Sequence, residues 1–415
     1  MVVSAEARLR AARKGGVRRA KAEQNSAYGV AAALSDLPVS MTLSRLLAVG
    51  ATALAAAAVV SAQQVPDLGI REYKPRSTLV VPQHPVPRAK YPVIDVHSHH
   101  WSLTPERYAQ VVRDMDALNL RVLVNLSGGS GTELKETLGV IARSPAPDRM
   151  VLFANPDFDD IDTLGWGRRA AERLTADVAA GARGLKVFKN LGLTVKRRNG
   201  IRVPLDDPDL GPLWDKCAEL HVPVLIHTGE PSPFFDPVDV RNERWLELQV
   251  HPDRRRPAGE YPAFEDLMGE RDRMFAAHPR TTFIAAHMGF HANDLARLGR
   301  LLDRLPNVMV ETGAILAELG RQPRAARAFF EHYQDRVLFG KDTWAPQEYP
   351  YFWRTFETAD EYFDYYRDYH AFWKLYGLEL PDVVLRKLYY VNALRIVPGL
   401  PSAAFPAFPA GQTQK

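Results

Sequence analysis

Short apolar segments recur at fairly regular intervals through the middle of the chain. Eight of them are too short for a helix and apolar on both faces, which is typical of strands in a covered parallel sheet. They are 93–97, 121–125, 150–154, 184–188, 222–227, 282–287, 308–311 and 336–340. Amphipathic stretches separate them, at 105–118, 133–143, 163–180, 210–220, 292–305 and 324–333. This eightfold alternation predicts an α/β protein with a (β/α)8 TIM barrel.

The competing architecture is a doubly wound open sheet. It is disfavoured because no glycine-rich phosphate loop follows the first strand. Two connections are long, from 228 to about 280 after strand 5 and from 343 to about 379 after strand 8. Insertions of this kind cover the active-site face of a barrel. The second is rich in aromatic residues, which form either a satellite core or the walls of a substrate pocket.

The N-terminal region has the pattern of an export signal. A short apolar run, 46–60, follows Arg45 and ends in the small-residue pattern Val60-Ser61-Ala62. This predicts a signal peptide over 41–62, a periplasmic or secreted protein and no membrane contact after cleavage. An uncleaved anchor is the alternative. We interpret 1–40 as a spurious or disordered extension, 63–90 as a proline-rich arm, 91–398 as the TIM-barrel domain and 399–415 as a flexible tail.

Charge and cysteine content exclude several classes of protein. The 415-residue chain has a formal net charge of +4, and its first 40 residues alone carry that charge. The folded body is therefore balanced, and we expect no nucleic-acid binding. Cys217 is the single cysteine, which excludes an internal disulfide and any cysteine-built metal site.

Polar residues stand at the ends of several predicted strands. His97 and His99 end the first strand, and side chains two residues apart on a strand point to the same side. His227 ends the fifth strand, His287 ends the sixth, and Asp342 follows the eighth. The C-terminal ends of barrel strands carry the active site. We therefore predict a metal site with an open position, suited to one Zn²⁺ and also to Mn²⁺ or Fe²⁺.

The chain resembles the amidohydrolase superfamily, in the branch of aminocarboxymuconate-semialdehyde decarboxylase and related metal-dependent hydrolases. The resemblance covers roughly 91–398. It rests on Asp95-x-His97-x-His99, Gly184-Leu-Lys186, Ile226-His227-Thr-Gly, Ala286-His287-Met-Gly, Leu338-Phe-Gly-Lys-Asp342 and Lys387-Leu-Tyr-Tyr-Val-Asn392-Ala.

The resemblance implies roles for these residues. His97, His99, His227 and Asp342 would bind the metal, Asp342 would also carry protons, and His287 would act as a catalyst beside the metal. The barrel is often dimeric in this family. One departure is Lys341, which replaces the usual Ser or Thr before the aspartate; strand alternation predicts that its side chain points away from the site.

Lys186, at the mouth end of strand 4, has three interpretations. It could be a carbamylated bridge between two metals, a contact for an anionic substrate, or part of a structural ion pair. Loop residues should also contact the substrate, and the candidates are Lys189, Glu230, Arg241, Arg244 and Trp344. The lysine and the arginines could receive a carboxylate.

The sequence leaves three functions open. The first is hydrolysis of a C–O or C–N bond in a small, aromatic or carboxylated substrate, by a water that the metal activates. The second is metal-dependent non-oxidative decarboxylation. The third is a secreted metal-binding barrel without catalytic activity. The ligand set does not separate hydrolysis from decarboxylation, because both reactions need only a Lewis acid and a proton carrier.

Overall fold

The computed structural model describes residues 67–367, 369–370 and 372–408. The residues discussed below lie in Arg71–Lys415, one of the two units into which the chain divides, apart from residues 67–70 of the proline-rich arm. The predicted extension and signal peptide fall outside the described residues, so export stays a prediction. Within the described ranges, no helix has both the length and the apolar character needed to cross a bilayer.

Nine short strands form two parallel sheets within the described residues. The first sheet has the order β3-β2-β1-β9 and the second has the order β4-β5-β6-β7-β8. The strands are β1 (Val93–His99), β2 (Leu120–Asn125), β3 (Met150–Leu152), β4 (Leu185–Val187), β5 (Val224–Ile226), β6 (Phe283–Ala285), β7 (Val308–Glu311), β8 (Val337–Leu338) and β9 (Asp342–Thr343).

Backbone hydrogen bonds bridge both breaks between the sheets. Ala154, just after β3, accepts from Lys186 N at 2.8 Å and donates to Gly184 O at 2.9 Å. On the other side, Val96 N of β1 donates to Phe339 O at 2.9 Å. Strand β8 lies within the predicted eighth strand, 336–340, whereas β9 begins beyond that strand, after residues 339–341. The predicted α/β barrel is confirmed.

Helices follow the strands. They are α1 (Pro105–Leu118), α2 (Gly131–Ala142), α3 (Trp166–Ala180), α4 (Asn190–Leu193), α5 (Gly211–Glu219), α6 (Trp245–Val250), α7 (Phe264–Ala277), α8 (Leu295–Arg304), α9 (Leu316–Gly320), α10 (Pro323–His332), α11 (Tyr349–Glu357), α12 (Asp382–Arg386) and α13 (Asn392–Ile396). Helix α1 shows why the boundaries could be predicted. Thr104 caps its first turn by accepting from Arg107 N, Pro105 opens it, and Asn119 ends it in the left-handed region at φ 64°.

The aromatic insertion after strand 8 extends the barrel core. Helix α11 buries Tyr349 and Trp353 against Phe339, with ring centroids 6.3 and 4.9 Å from the Phe339 ring. Tyr389 packs on the same ring at 5.8 Å. This arrangement is the satellite core considered above. It holds the segment that follows β9 firmly over the end of β1.

The proline-rich arm, as far as it is described, has neither helix nor strand. It is tied to the second insertion through His84. The His84 backbone N donates to Asp360 Oδ2 at 2.6 Å, and the His84 ring lies 2.5 Å from Asp360 Oδ1. At the other end, Phe405 is buried and stacks on Tyr390 with ring centroids 5.3 Å apart.

Candidate metal centre and active site

Three predicted ligands converge where the first and last strands meet. His97 Nε2 lies 3.3 Å from His99 Nε2 and 3.4 Å from Asp342 Oδ1, and His99 Nε2 lies 3.6 Å from the same oxygen. Tetrahedral ligands 2.0–2.1 Å from a zinc ion are about 3.3–3.4 Å apart. The spacing of these three atoms therefore fits a single shared ion.

Hydrogen bonds on the far side of each ring direct Nε2 toward this point. His97 Nδ1 lies 2.9 Å from Glu311 Oε1. An ionised carboxylate only accepts, so Nδ1 carries the proton and Nε2 presents a lone pair. His99 Nδ1 lies 2.8 Å from Ser127 Oγ, a hydroxyl oxygen that can accept a hydrogen bond from Nδ1–H. The donor set thus has the chemistry of a divalent metal site.

A second compact group consists of His97, His287 and Glu311. Its members are buried, and the Glu311 carboxylate already accepts from both of the other residues. The group of His97, His99 and Asp342 is different. Its three facing atoms are all acceptors, because the protons of both rings lie on Nδ1, on the far side. The first group also keeps an open side, since the Asp342 side chain is 29% exposed. An open side is what a catalytic metal site needs.

His227 and His287 form the neighbouring part of the site. His287 Nδ1 donates to Gly313 O at 2.7 Å, so His287 Nε2 holds a lone pair in the neutral ring. That Nε2 lies 3.2 Å from His227 Nδ1, which must then be the donor. His227 Nε2 is left as a buried lone pair with no hydrogen-bond partner among the described residues. His227 lies outside the compact group, and its role as fourth ligand stays a prediction.

Burial keeps the imidazoles neutral. Burial lowers the pKa of His99 to about 4, and the nearby Lys186 adds to this effect. The same two causes hold the pKa of His97 well below its usual value. Burial also holds the pKa of His227 well below its usual value, and the nearby His287 is the second largest cause. A metal ligand must be unprotonated, so these side chains are ready to bind near neutral pH.

Lys186 is a buried ammonium group beside the ligands. It is 0% exposed, and its Nζ has no hydrogen-bond partner among the described residues. Burial lowers the pKa of Lys186 to about 8, although Asp342 and Glu311 oppose the change. For Asp342, burial raises the pKa, but His97 and its neighbours outweigh burial and hold the carboxyl below its usual range. Asp342 is therefore ionised near neutral pH.

A cavity of about 210 Å³ opens beside these residues. His227, His287 and Asp342 are among the residues that line it. The lining also includes apolar side chains and several charged ones, among them Phe290, Ala314, Ile315, Lys189, Glu230, Arg244, Glu247, Arg254, Glu318, Arg367 and His370. The volume fits a small molecule.

Most charged groups around the cavity are already paired. Lys189 Nζ lies 2.6 Å from Glu230 Oε1. Arg244 is buried, donates to Glu247 Oε2 at 3.0 Å and also donates to Glu318. These two pairs therefore present neutralised charges to a ligand.

The remaining two loop candidates lie away from the cavity lining. Arg241 is exposed, and its backbone N donates to Asp239 Oδ1 at 2.8 Å. Trp344 packs on His100 with ring centroids 5.1 Å apart and forms part of the aromatic packing around Tyr349. Lys341, as predicted from alternation, turns away from Asp342 and donates to Glu348 and to Thr343 O.

Arg367 is a cavity residue that the sequence did not single out. Its guanidinium donates no hydrogen bond within the described part of the chain. Its nearest carboxylate contact there is an ion pair of 3.5 Å between one terminal guanidinium nitrogen and Glu348 Oε2. Glu348 is shared with Lys341. Among the described residues, Arg367 therefore has N–H groups without a hydrogen-bond partner, and it lines the cavity together with His227, His287 and Asp342. It lies in an irregular insertion, where no periodic pattern marks functional positions.

Two buried carboxylates also escaped assignment. Glu311 ends β7 and bonds to His97, as described above. Asp95 of β1 accepts from His97 N at 2.9 Å, from Lys341 N at 3.1 Å and from the Tyr349 hydroxyl at 2.6 Å. Burial raises the pKa of Asp95 to about 7, against the effect of these hydrogen bonds. Both residues occupy strand positions, so a search for buried acids in the strands would have found them.

The barrel and its histidine-rich mouth define a metal-dependent enzyme of the α/β-barrel class. The family model described as amidohydrolase matches residues 94–399. The chain therefore belongs to the amidohydrolase family, whose members are metal-dependent enzymes. This confirms the resemblance found in the sequence motifs. No curated protein matches the chain.

Several solved structures are similar to the chain at low sequence identity. A 2,6-dihydroxybenzoate decarboxylase from Rhizobium is 17% identical, with a TM-score of 0.46, covering 74% of this chain and 98% of its own. A dihydroxybenzoic acid decarboxylase from Polaromonas sp. JS666, with bound manganese and 2-nitroresorcinol, is 15% identical, with a TM-score of 0.47 and coverages of 74% and 96%. A 4-oxalomesaconate hydratase from Rhodopseudomonas palustris is 13% identical, with a TM-score of 0.44 and coverages of 75% and 97%.

Proposed function

We propose that His97, His99 and Asp342 hold one divalent metal ion, with His227 as the fourth ligand. The observation that carries this proposal is the 3.3–3.6 Å spacing of two Nε2 atoms and one carboxylate oxygen, that of Asp342, which also lines the cavity. The unpaired Nε2 of His227 supports the fourth position. Imidazole and carboxylate donors suit Zn²⁺ best, and Mn²⁺ and Fe²⁺ accept the same set.

The reaction that we propose is hydrolysis of a C–O or C–N bond in a small substrate. A bound divalent ion supplies Lewis acidity and lowers the pKa of a coordinated water to about 7. Asp342 is ionised and open to the cavity, so its free oxygen can accept the proton of the attacking water. His287 Nε2 holds a lone pair, so it must first take up a proton. Once protonated there, it can donate to the substrate oxygen or the leaving group.

We further propose that the substrate carries a carboxylate. Arg367 supports this, because its guanidinium reaches the cavity with free N–H groups. Lys189 is the second cation at the rim, although Glu230 holds it. A planar guanidinium matches a carboxylate with two parallel hydrogen bonds. Such a substrate would lie with its reacting bond over His287 and its carboxylate at Arg367.

Decarboxylation is the second candidate, and Lys186 is the observation that favours it. Loss of CO₂ leaves a carbanion that needs a proton, and the donor must hold that proton near neutral pH. Because its pKa is about 8, Lys186 is protonated at pH 7 and lies beside the ligands. A barrel that binds metal without catalysis is the remaining alternative.

One set of assays separates the three functions. Protein loaded with Zn²⁺ or Mn²⁺ is incubated in H₂¹⁸O with carboxylated lactones, esters and amides and with aromatic acids. Hydrolysis places ¹⁸O in the product, whereas decarboxylation releases CO₂ and leaves the product unlabelled. Chelator treatment and Asp342→Asn should each abolish the activity. No turnover on any substrate, with metal bound, would leave only the non-catalytic barrel.

Export and assembly belong to the same proposal. The predicted signal peptide places the enzyme in the periplasm or outside the cell, and the family resemblance suggests a homodimer. Sedimentation or light scattering on the exported protein measures its oligomeric state directly. A monomer at micromolar concentration would contradict the dimer without affecting the metal site.

A further inference from the structure

Glu311 joins two parts of the active site that come from different strands. It is 0% exposed at the end of β7. Its Oε1 accepts from His97 Nδ1 at 2.9 Å and from the backbone N of His287 at 2.6 Å. Its Oε2 accepts from Gly313 N at 2.5 Å. One oxygen of this carboxylate therefore touches both a proposed metal ligand and the backbone of the proposed catalytic histidine.

The contact with His97 fixes the chemical form of that ring. Because the carboxylate only accepts, it selects the tautomer with the proton on Nδ1 and the lone pair on Nε2. That Nε2 is the atom that faces His99 and Asp342. A carboxylate behind a ligating histidine also raises the basicity of the ligand. Without Glu311, the ring could turn or hold its proton on the wrong nitrogen.

The contact with His287 fixes a strained turn. His287 has φ 58° and Met288 has φ 53°, in the left-handed region that L-residues rarely adopt. The Glu311 oxygen that accepts from His287 N holds the start of this turn, and Gly313 O accepts from His287 Nδ1. Gly313 is in turn held by Glu311 Oε2. His287 is therefore held at its backbone N by Glu311 itself and at its ring by Gly313, which Glu311 holds in turn.

The surrounding backbone leaves room for the carboxylate. A Cβ placed on Gly340 would collide with Glu311 Oε2 and would lie 2.9 Å from His97 Cβ. Position 340 therefore requires glycine, because Glu311 and His97 both approach its backbone too closely for a side chain.

We propose that Glu311 is a positioning residue that sets metal affinity through His97 and the orientation of His287 through its backbone. This inference rests on the proposed metal centre. Loss of a hydrogen-bond partner behind a metal ligand typically costs 10- to 100-fold in metal affinity. Glu311→Gln keeps the volume but has only one acceptor oxygen for three N–H donors, so we expect its dissociation constant for Zn²⁺ to rise by about 10- to 100-fold.

Asp177→Asn is the matched control. Asp177 is also a buried carboxylate, and it accepts from Ser130 Oγ at 2.7 Å and Gly131 N at 2.8 Å. These partners lie at the start of α2 and contain no histidine. The control should lose stability in the same way as Glu311→Gln, but its metal affinity should stay at the native value.

The test measures Zn²⁺ dissociation constants by chelator competition and the visible absorption spectrum of the Co²⁺-loaded proteins. We expect Glu311→Gln to bind more weakly with a changed Co²⁺ spectrum, while Asp177→Asn matches the native protein in both. Native affinity and a native spectrum in Glu311→Gln would overturn the inference, as would equal losses in both variants. If Glu311→Gln does not fold, Glu311→Asp keeps the charge but shortens the side chain, so it should weaken metal binding and change the Co²⁺ spectrum in the same way. Absence of metal binding by the native protein would instead contradict the metal centre itself.

Discussion

The imidazoles of His227 and His287 meet edge to face, with ring centroids 4.5 Å apart and His227 Nδ1 at 3.2 Å from His287 Nε2. Because the other nitrogen of His287 donates to Gly313 O, the proton between the two rings belongs to His227. This order of donors leaves a lone pair on His227 Nε2, which the proposed role of His227 as fourth ligand requires. It also makes His287 an acceptor in the resting protein.

Replacement of His287 by alanine should separate metal binding from catalysis. We expect His287→Ala to keep one equivalent of metal and to lose about 10²–10⁴-fold in turnover, the usual effect of removing one acid or base. Metal analysis and rate are measured on the same preparation. His291→Ala, which removes a buried histidine from the same segment, is the control. Half the metal content in His287→Ala would indicate a binuclear site, and unchanged turnover would remove His287 from the mechanism.

Replacement of His97 should remove the metal without unfolding the barrel. His97→Ala loses one of three converging donor atoms, and the double variant His97→Ala/His99→Ala loses two. We expect both to lack stoichiometric metal and activity while their far-ultraviolet circular dichroism stays native. Metal retained at one equivalent per chain by the double variant would rule out this site.

Replacement of Lys186 should stabilise the metal-free protein. The folded-state pKa of about 8 lies below the ordinary value of 10.5, so the unfolded chain binds more protons between these pH values. The free energy of unfolding should therefore rise from pH 8 to 10.5. Below pH 8 the lysine is charged in both states, so the folded protein bears the full free-energy cost of burying that charge. Lys186→Met should raise the free energy of unfolding at pH 7 by up to about 3 kcal/mol and should flatten that rise.

Urea unfolding at pH 7 and pH 10, on chelator-treated protein, measures this effect. Lys341→Met is the comparison, because Lys341 is equally buried but is paired with Glu348. Its loss leaves a carboxylate with one cation fewer and should lower stability. A Lys186→Met protein that is less stable than the native protein at pH 7 would contradict an unpaired cation at Lys186, as expected if its Nζ is carbamylated and therefore anionic.

Replacement of Arg367 should affect carboxylated substrates selectively. A hydrogen bond to a charged group contributes about 1.5–3 kcal/mol, so Arg367→Met should raise KM for a carboxylated substrate by about 10- to 100-fold. The KM of its neutral methyl ester should change little. Arg241→Met and Arg244→Met, measured in parallel, compare the two arginines predicted from sequence. Equal losses on acid and ester would exclude a carboxylate contact at Arg367.

The N-terminus of the exported protein offers a separate check. Cleavage after Ala62 predicts a mature chain that begins at Gln63, and intact-mass spectrometry of secreted or periplasmic material measures it. Val60→Asp/Ala62→Asp breaks the small-residue pattern and should leave the precursor uncleaved. Soluble cytoplasmic protein that retains Met1 or Met41 would contradict the signal peptide.

Much of the fold follows from the sequence because barrel strands are buried on both faces and helices carry local signals. The predicted helix at 105–118 has the observed boundaries, and the strands agree within a few residues. The eighth strand is different. Only Val337–Leu338 forms a strand within the predicted 336–340, and Phe339 N donates instead to Leu388 O, a long-range contact that no local pattern reports.

The site was less predictable, for two distinct reasons. Glu311 stood at a strand end in the sequence, where the same argument that selected His227 also applied, but an acid at that place is as often structural. Arg367 carried no signal at all. Arg244 shows how a sequence can overstate a substrate contact. An arginine in an active-site loop can already be paired with nearby glutamates, here Glu247 and Glu318.

The pairing of β1 with β9 places Ser98 opposite Asp342 and His99 opposite Thr343. The converging donor atoms thus come from the earliest and the latest strands of the barrel. A nascent chain cannot assemble this donor set until its final strand has left the ribosome and docked. An ion bound at the proposed site would link the first strand to the last, so a chain truncated before β9 would lose both this strand pairing and the proposed donor set.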